Sequence, residues 1–152
     1  MDGEINKLDA ASVDKRYISS YVNTVNGGTL IRRVKIGARS HELVERYRKF
    51  YSLTLQELYG KIILDWRERY GSGDMSQVWN QMLENHVQKT PDKYEPRSVA
   101  FYVNDYIYIY DIAKNYFGCL TRFFPYLVED WVENCLKTCY AYKSGKLRKP
   151  QK

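Results

Sequence analysis

The chain has 152 residues, 44% of them hydrophobic, and a net charge of +6; this suits one domain with one core and excludes a disordered chain. Its most apolar patch, CLTRFFPYLV, is broken by Arg122 and Pro125, so nothing approaches the ~18 apolar residues of a membrane-spanning helix. The polar opening MDGEINKLD shows no secretory signal, and three cysteines, Cys119, Cys135 and Cys139, are too few for a disulfide framework; together they point to synthesis inside the cell.

Charge divides the chain. Residues 1–14 carry four acids and one Lys, residues 15–49 carry nine Lys/Arg against two Glu, and residues 143–152 carry five Lys/Arg and no acid. The body between is close to neutral, so both basic flanks suggest a polyanion or an anionic surface as partner. Leu8 to Val25 has helical spacing through Val13, Tyr17, Tyr21 and Val25, and Asn26-Gly27-Gly28 breaks it. Thr29 to Arg39, TLIRRVKIGAR, has no helical face and reads as an extended arm lacking a core of its own.

Ser40 is placed to cap a long helix whose stripe is Val44, Tyr47, Tyr51, Leu55, Leu58, Ile62 and Trp66, ending at Arg69 before Gly71-Ser72-Gly73. Gly60 inside it suits close helix packing. Asp74, with Gln77 three residues on, caps a shorter helix that turns Val78, Trp79, Met82, Leu83, His86 and Val87 inward, and Thr90-Pro91-Asp92 ends it. The stretch VNDYIYIYD, residues 103–111, is rich in β-prone residues. Its alternation fails at Asn104-Asp105 and Asp111-Ile112, whereas Tyr102, Tyr106, Ile109, Ala113, Tyr116, Phe117 and Leu120 follow a helical repeat. The spacing therefore predicts a helix from about Ser98 to about Phe123. Pro125 is expected to start the last helix, with Val128, Trp131, Val132, Cys135, Cys139 and Tyr142 on its stripe. The expected fold is all-α: an extended, partly helical basic N-terminal arm over 1–39, a four-helix bundle over 40–142 and a basic C-terminal tail over 143–152. Trp66, Trp79 and Trp131 should be buried.

No enzyme is expected. The two histidines, His41 and His86, lack partners at metal-ligand spacing, and Cys135 with Cys139 falls short of a ligand set. The paired acids Glu42/Glu45, Asp65/Glu68 and Glu129/Glu133 read as solvated helix faces, and no glycine-rich phosphate loop is present. No cofactor, metal or small-molecule substrate follows. The strongest functional signal is the basic arm. Arg32, Arg33, Lys35 and Arg39 are the first candidates for contact with nucleic-acid phosphates, with Lys15, Arg16, Arg46 and Lys49 behind them; such contacts position a polyanion without reading its bases. Tyr17 and Tyr21 suit either stacking there or packing on the body.

A basic arm from Lys15 to Arg39 ahead of a helical bundle from Ser40 to Tyr142, with 15 tyrosines on the chain, resembles the major coat proteins of filamentous and rod-shaped viruses of hyperthermophilic archaea. The resemblance implies a virion protein, made in the host cytoplasm, that wraps double-stranded DNA in A-form as a helical filament. It also implies that the partner subunit is a second copy or a paralogous coat protein, as a homo- or heterodimer. The acidic start, Asp2, Glu4, Asp9 and Asp14, departs from a uniformly basic arm and suits a contact with a neighbouring subunit. Two alternatives stand beside it. One is a small helical dimeric nucleic-acid-binding regulator or adaptor, cytoplasmic if not viral. The other is an interaction protein whose basic tail meets an anionic membrane or an acidic partner.

Overall fold

The computed structural model describes residues 28–87 and 93–147; the N-terminal helix expected over Leu8–Val25 and the stop at Thr90-Pro91-Asp92 lie outside them. The described residues form six α-helices and a two-stranded antiparallel sheet, which corrects the four-helix bundle. In chain order the elements are β1 (Thr29–Gly37), α1 (Ala38–Phe50), α2 (Leu55–Tyr70), α3 (Met75–Val87), β2 (Tyr94–Tyr102), α4 (Val103–Tyr116), α5 (Leu120–Trp131) with a π-turn at Val132–Leu136, and α6 (Tyr140–Lys143).

The sheet is the main departure from expectation. β1 and β2 pair along their whole length, from Thr29 opposite Tyr102 to Gly37 opposite Tyr94. Successive side chains on a strand point to opposite faces, so Leu30, Val34 and Ile36 turn into the core while Ile31, Arg33 and Lys35 stay exposed. The segment expected to lack a core thus supplies three buried core residues. Val99 and Phe101 do the same from β2, and the sheet lies against α2 and α5. Pro96, which has no N–H to give, is tolerated because both strands of a two-stranded sheet are edge strands.

The stretch 103–111 is helical, inside α4. The helix starts five residues later than expected because Ser98 and the four residues after it belong to β2, where Ser98 pairs with Arg33. It also ends earlier. Phe117 closes it and Gly118 takes φ +91, a conformation that favours glycine, before α5 begins at Leu120. Pro125 sits inside α5 and does not start it. The π-turn follows, closed by Lys137 N–H donating to the Val132 carbonyl at 3.0 Å.

The long helix expected over 40–69 is two helices. Ser52 at φ 55 breaks the run, and Thr54 restarts it through a reciprocal cap. The Glu57 N–H donates to Thr54 Oγ1 at 3.2 Å, and the Thr54 N–H donates to Glu57 Oε1 at 2.8 Å. Ser40 is buried inside α1, whose cap is Gly37. Asp74 does cap α3, its Oδ1 accepting from Ser76 N–H at 2.9 Å and Gln77 N–H at 3.4 Å. Gly60 does allow close packing, since a Cβ there would meet Asp105 Oδ2 at 3.1 Å and the Tyr102 ring at 3.4 Å.

Trp66, Trp79 and Trp131 are all buried, as the stripes predicted. They anchor an aromatic core with Tyr59, Phe101, Phe117, Phe123 and Phe124. Among the described residues no helix is long and apolar enough to cross a membrane.

One core-edge carboxyl has a pH consequence. Burial pushes the Asp105 carboxyl from 3.8 up to about 6, with the Arg67 guanidinium pulling the other way. The folded state therefore holds this proton more tightly than the unfolded chain. Its stabilising contribution is full below 3.8 and is lost as pH rises through about 6. Asp105→Asn is expected to stabilise the protein at neutral pH, by about 1 kcal/mol once the solvent screening of a half-exposed group is allowed for. The gain should vanish under acid conditions. Urea unfolding of both proteins across this pH range checks it; a gain that does not change with pH contradicts the assignment.

Candidate nucleic-acid interface

The expected phosphate contacts fall into distinct places. Lys15 and Arg16 lie outside the described residues. Arg33 and Lys35 stand two apart on the outer face of β1, roughly 6.6 Å from each other along the strand. Opposite them are Ser98 and Pro96, both exposed and uncharged. No carboxylate pairs with either cation among the described residues. Ile31, 63% exposed, completes the row.

Arg32 is not part of that row. It sits half-buried on the other side of the strand, its guanidinium 5.6 Å from the centre of the Tyr106 ring. The alternation of the strand separates neighbours that look equivalent in RRVK. Arg39 is exposed in the first turn of α1, where a cation faces the positive end of the helix dipole. Its position is thus unfavourable for the helix and natural for an anion contact. Lys49 is exposed near the end of α1. Arg46 is committed internally: Nη2 pairs with Glu42, and Nη1 donates to the Leu147 carbonyl at 3.2 Å. Arg48 is likewise taken up, by Glu45 at 2.8 Å and by the Leu53 carbonyl at 3.2 Å.

A second polar region lies between α2 and the π-turn. There a groove of about 460 Å³ is lined by Tyr47, Lys61, Asp65, Arg69, Cys135 and Cys139, among others. Asp130, 1% exposed, accepts from Arg69, from Tyr70 Oη at 2.9 Å and from Asn134 Nδ2 at 3.0 Å. Asp65 Oδ2 accepts from Trp131 Nε1 at 2.8 Å. Arg69 Nη1 donates to Cys135 Sγ at 2.7 Å. All three cysteines are free thiols. Burial pushes the Cys135 thiol up, against the pull of Arg69, which suits a packed side chain and not a nucleophile. No group of three or more His, Cys, Asp or Glu among the described residues could hold a metal ion. His41 is half-buried, and burial followed by the Arg97 charge keeps its pKa below the usual histidine value; the side chain of His86 lies outside the described residues.

Four of the six paired acids, Glu42, Glu45, Asp65 and Glu133, meet a cation along the same stretch of helix, and Asp65, which also accepts from Trp131, is more than a solvated helix-face acid. Glu42 meets Arg46, Glu45 meets Arg48, Asp65 meets Lys61 at 3.5 Å and Glu133 meets Lys137 at 2.6 Å. Arg33 and Lys35 are exposed on the outer face of β1, and Arg39 is exposed at the start of α1. The chain matches no protein-family model, no curated protein and no solved structure, so these side chains carry the functional argument themselves.

Proposed function

We propose that the chain is a structural nucleoprotein subunit that binds double-stranded DNA through its phosphates and packages it, without reading sequence, in a helical filament. A virion coat protein of the archaeal filamentous type is the form of this reading that the basic N-terminal region favours. The bundle half of that resemblance does not survive the sheet, so the proposal rests on the cations. The observation that carries it is the pair Arg33 and Lys35, outward on an exposed strand face with no carboxylate engaged. Cations held this way contribute nothing to the fold that a neutral side chain would not, and they are free to displace counterions from a phosphate backbone.

The expected result is specific. Arg33→Gln together with Lys35→Gln should lower the slope of log affinity against log salt by roughly 2 on duplex DNA. The loss should be equal on unrelated sequences, and unfolding stability should stay within about 0.5 kcal/mol of wild type. An unchanged slope would remove β1 as the DNA element. Electron micrographs of the protein with duplex DNA test the packaging step: long nucleoprotein filaments support it, and discrete short complexes do not.

The sheet itself favours a second reading. A two-stranded ribbon fits the major groove, so a dimeric regulator could present Arg33, Lys35 and Ser98 to base edges. That reading predicts protection of one short site and a loss of affinity on single base changes within it, neither of which a packaging subunit shows.

A further inference from the structure

Among the described residues the two basic flanks meet on one face of α1, at Arg46 and Leu147, 101 positions apart in sequence. Leu147 is 4% exposed and lines a cavity of about 310 Å³ with Leu43, Arg46 and Tyr142. Arg46 fastens the backbone there through its bond to the Leu147 carbonyl. On α1, Arg39, Leu43, Arg46 and Phe50 recur at helical spacing and so share one face, with Lys49 one turn beyond Arg46. The segment from α6 to Leu147 therefore meets α1 at Leu43 and Arg46, on the face that helical spacing shares with Arg39. It brings Lys143 and Lys146, both exposed. Lys146 Nζ stands 5.9 Å from the centre of the Tyr140 ring, itself 68% exposed. The carboxylate on this stripe, Glu42, is engaged with Arg46.

We propose that Lys143 and Lys146 form a second phosphate-binding row for the same duplex that Arg33 and Lys35 contact, with Arg39 between the rows and with Arg46 and Leu147 as positioning residues. The inference rests on the DNA-binding reading of β1. Its chemical basis is charge and continuity. β1 runs into α1 at Gly37 without a loop, so Lys35 and Arg39 are four residues apart on adjoining elements. A polyanion lying along β1 is led from there onto the face that the C-terminal segment shares. Arg46 thereby acquires a role that the sequence does not suggest: it holds the second row in place and does not touch phosphate itself.

The test is the salt dependence of binding to a random-sequence duplex DNA by the full chain and three variants. Lys143→Gln with Lys146→Gln should lower the slope by roughly 1–2. Leu147→Ala removes no charge, yet should lower the slope in the same direction by unseating the segment. Arg33→Gln with Lys35→Gln reports on β1 separately. If the β1 variant loses slope while the Lys143/Lys146 variant keeps all of it, the second row is wrong and the β1 reading stands. If only the Lys143/Lys146 variant loses slope, the shared surface is wrong and so is the β1 reading. If the wild-type chain shows no salt-dependent binding to the duplex, both fall.

Discussion

Trp66→Ala is expected to cost about 3–5 kcal/mol of unfolding free energy, the range for deleting a fully buried aromatic side chain. Trp66 is completely buried, and its ring meets Tyr70, Tyr108, Phe117 and Phe123 at centroid distances between 5.3 and 6.4 Å. It therefore ties α2 to α4, to the turn after α4 and to α5, and the cavity left by alanine cannot close without moving three elements. The indole Nε1 is buried without a hydrogen-bond partner, so phenylalanine gives up volume but no polar contact. Trp66→Phe should accordingly cost only about 1–2 kcal/mol. Urea denaturation of the two variants checks the order. A Trp66→Ala cost under about 0.5 kcal/mol, the size of a surface change, would mean that this aromatic cluster is not the core.

The second large effect is expected at Asp130. Its carboxylate is buried and accepts from Arg69, Tyr70 and Asn134. Removing one member of such a buried network leaves the others without a partner, which is costlier than the net value of the bonds. Asp130→Ala should cost about 3 kcal/mol, the low end of the range for a broken buried pair, because the Arg69 side chain keeps some access to water. A double-mutant cycle with Arg69→Met separates the pair from packing. The double variant should be more stable than the sum of the two single losses predicts, by about 1 kcal/mol or more. Strict additivity would show that the two side chains do not depend on each other.

Much of this molecule is legible in short stretches of its sequence. The helical identity of residues 103–111, the cap at Asp74, the close packing at Gly60 and the burial of all three tryptophans follow from local spacing, because apolar periodicity reports which face of an element meets the core. Some features were present in the sequence as signals of equal weight that lost to a longer pattern. Thr54 and Glu57 form a capping box inside an apolar stripe whose spacing continues from Val44 to Trp66. Gly118, with φ +91 just after the Phe117 cap, ends α4 within an apolar repeat that continues to Leu120. In both places a backbone constraint of one or two residues outweighs continuity of the apolar stripe.

The sheet is of another kind. Nothing within TLIRRVKIG or YEPRSVAFY determines that each is the other's partner, since a strand is stabilised by cross-strand neighbours and by the face it buries. With its partner residues 57 to 73 positions away, from Gly37–Tyr94 to Thr29–Tyr102, β1 has only the look of a polar extended arm. Pairing is what sends Leu30, Val34 and Ile36 inward and Arg33 and Lys35 outward. The composition and charge of the chain determined that a basic segment precedes a nearly neutral body. Only the tertiary structure decided which of those cations face solvent. Arg32 and Arg46 turn to the protein, Arg33 and Lys35 turn away from it, and Lys143 and Lys146 join the α1 face through Leu147, because side-chain direction on a strand and the docking of a distant segment are settled by long-range packing that no local pattern contains.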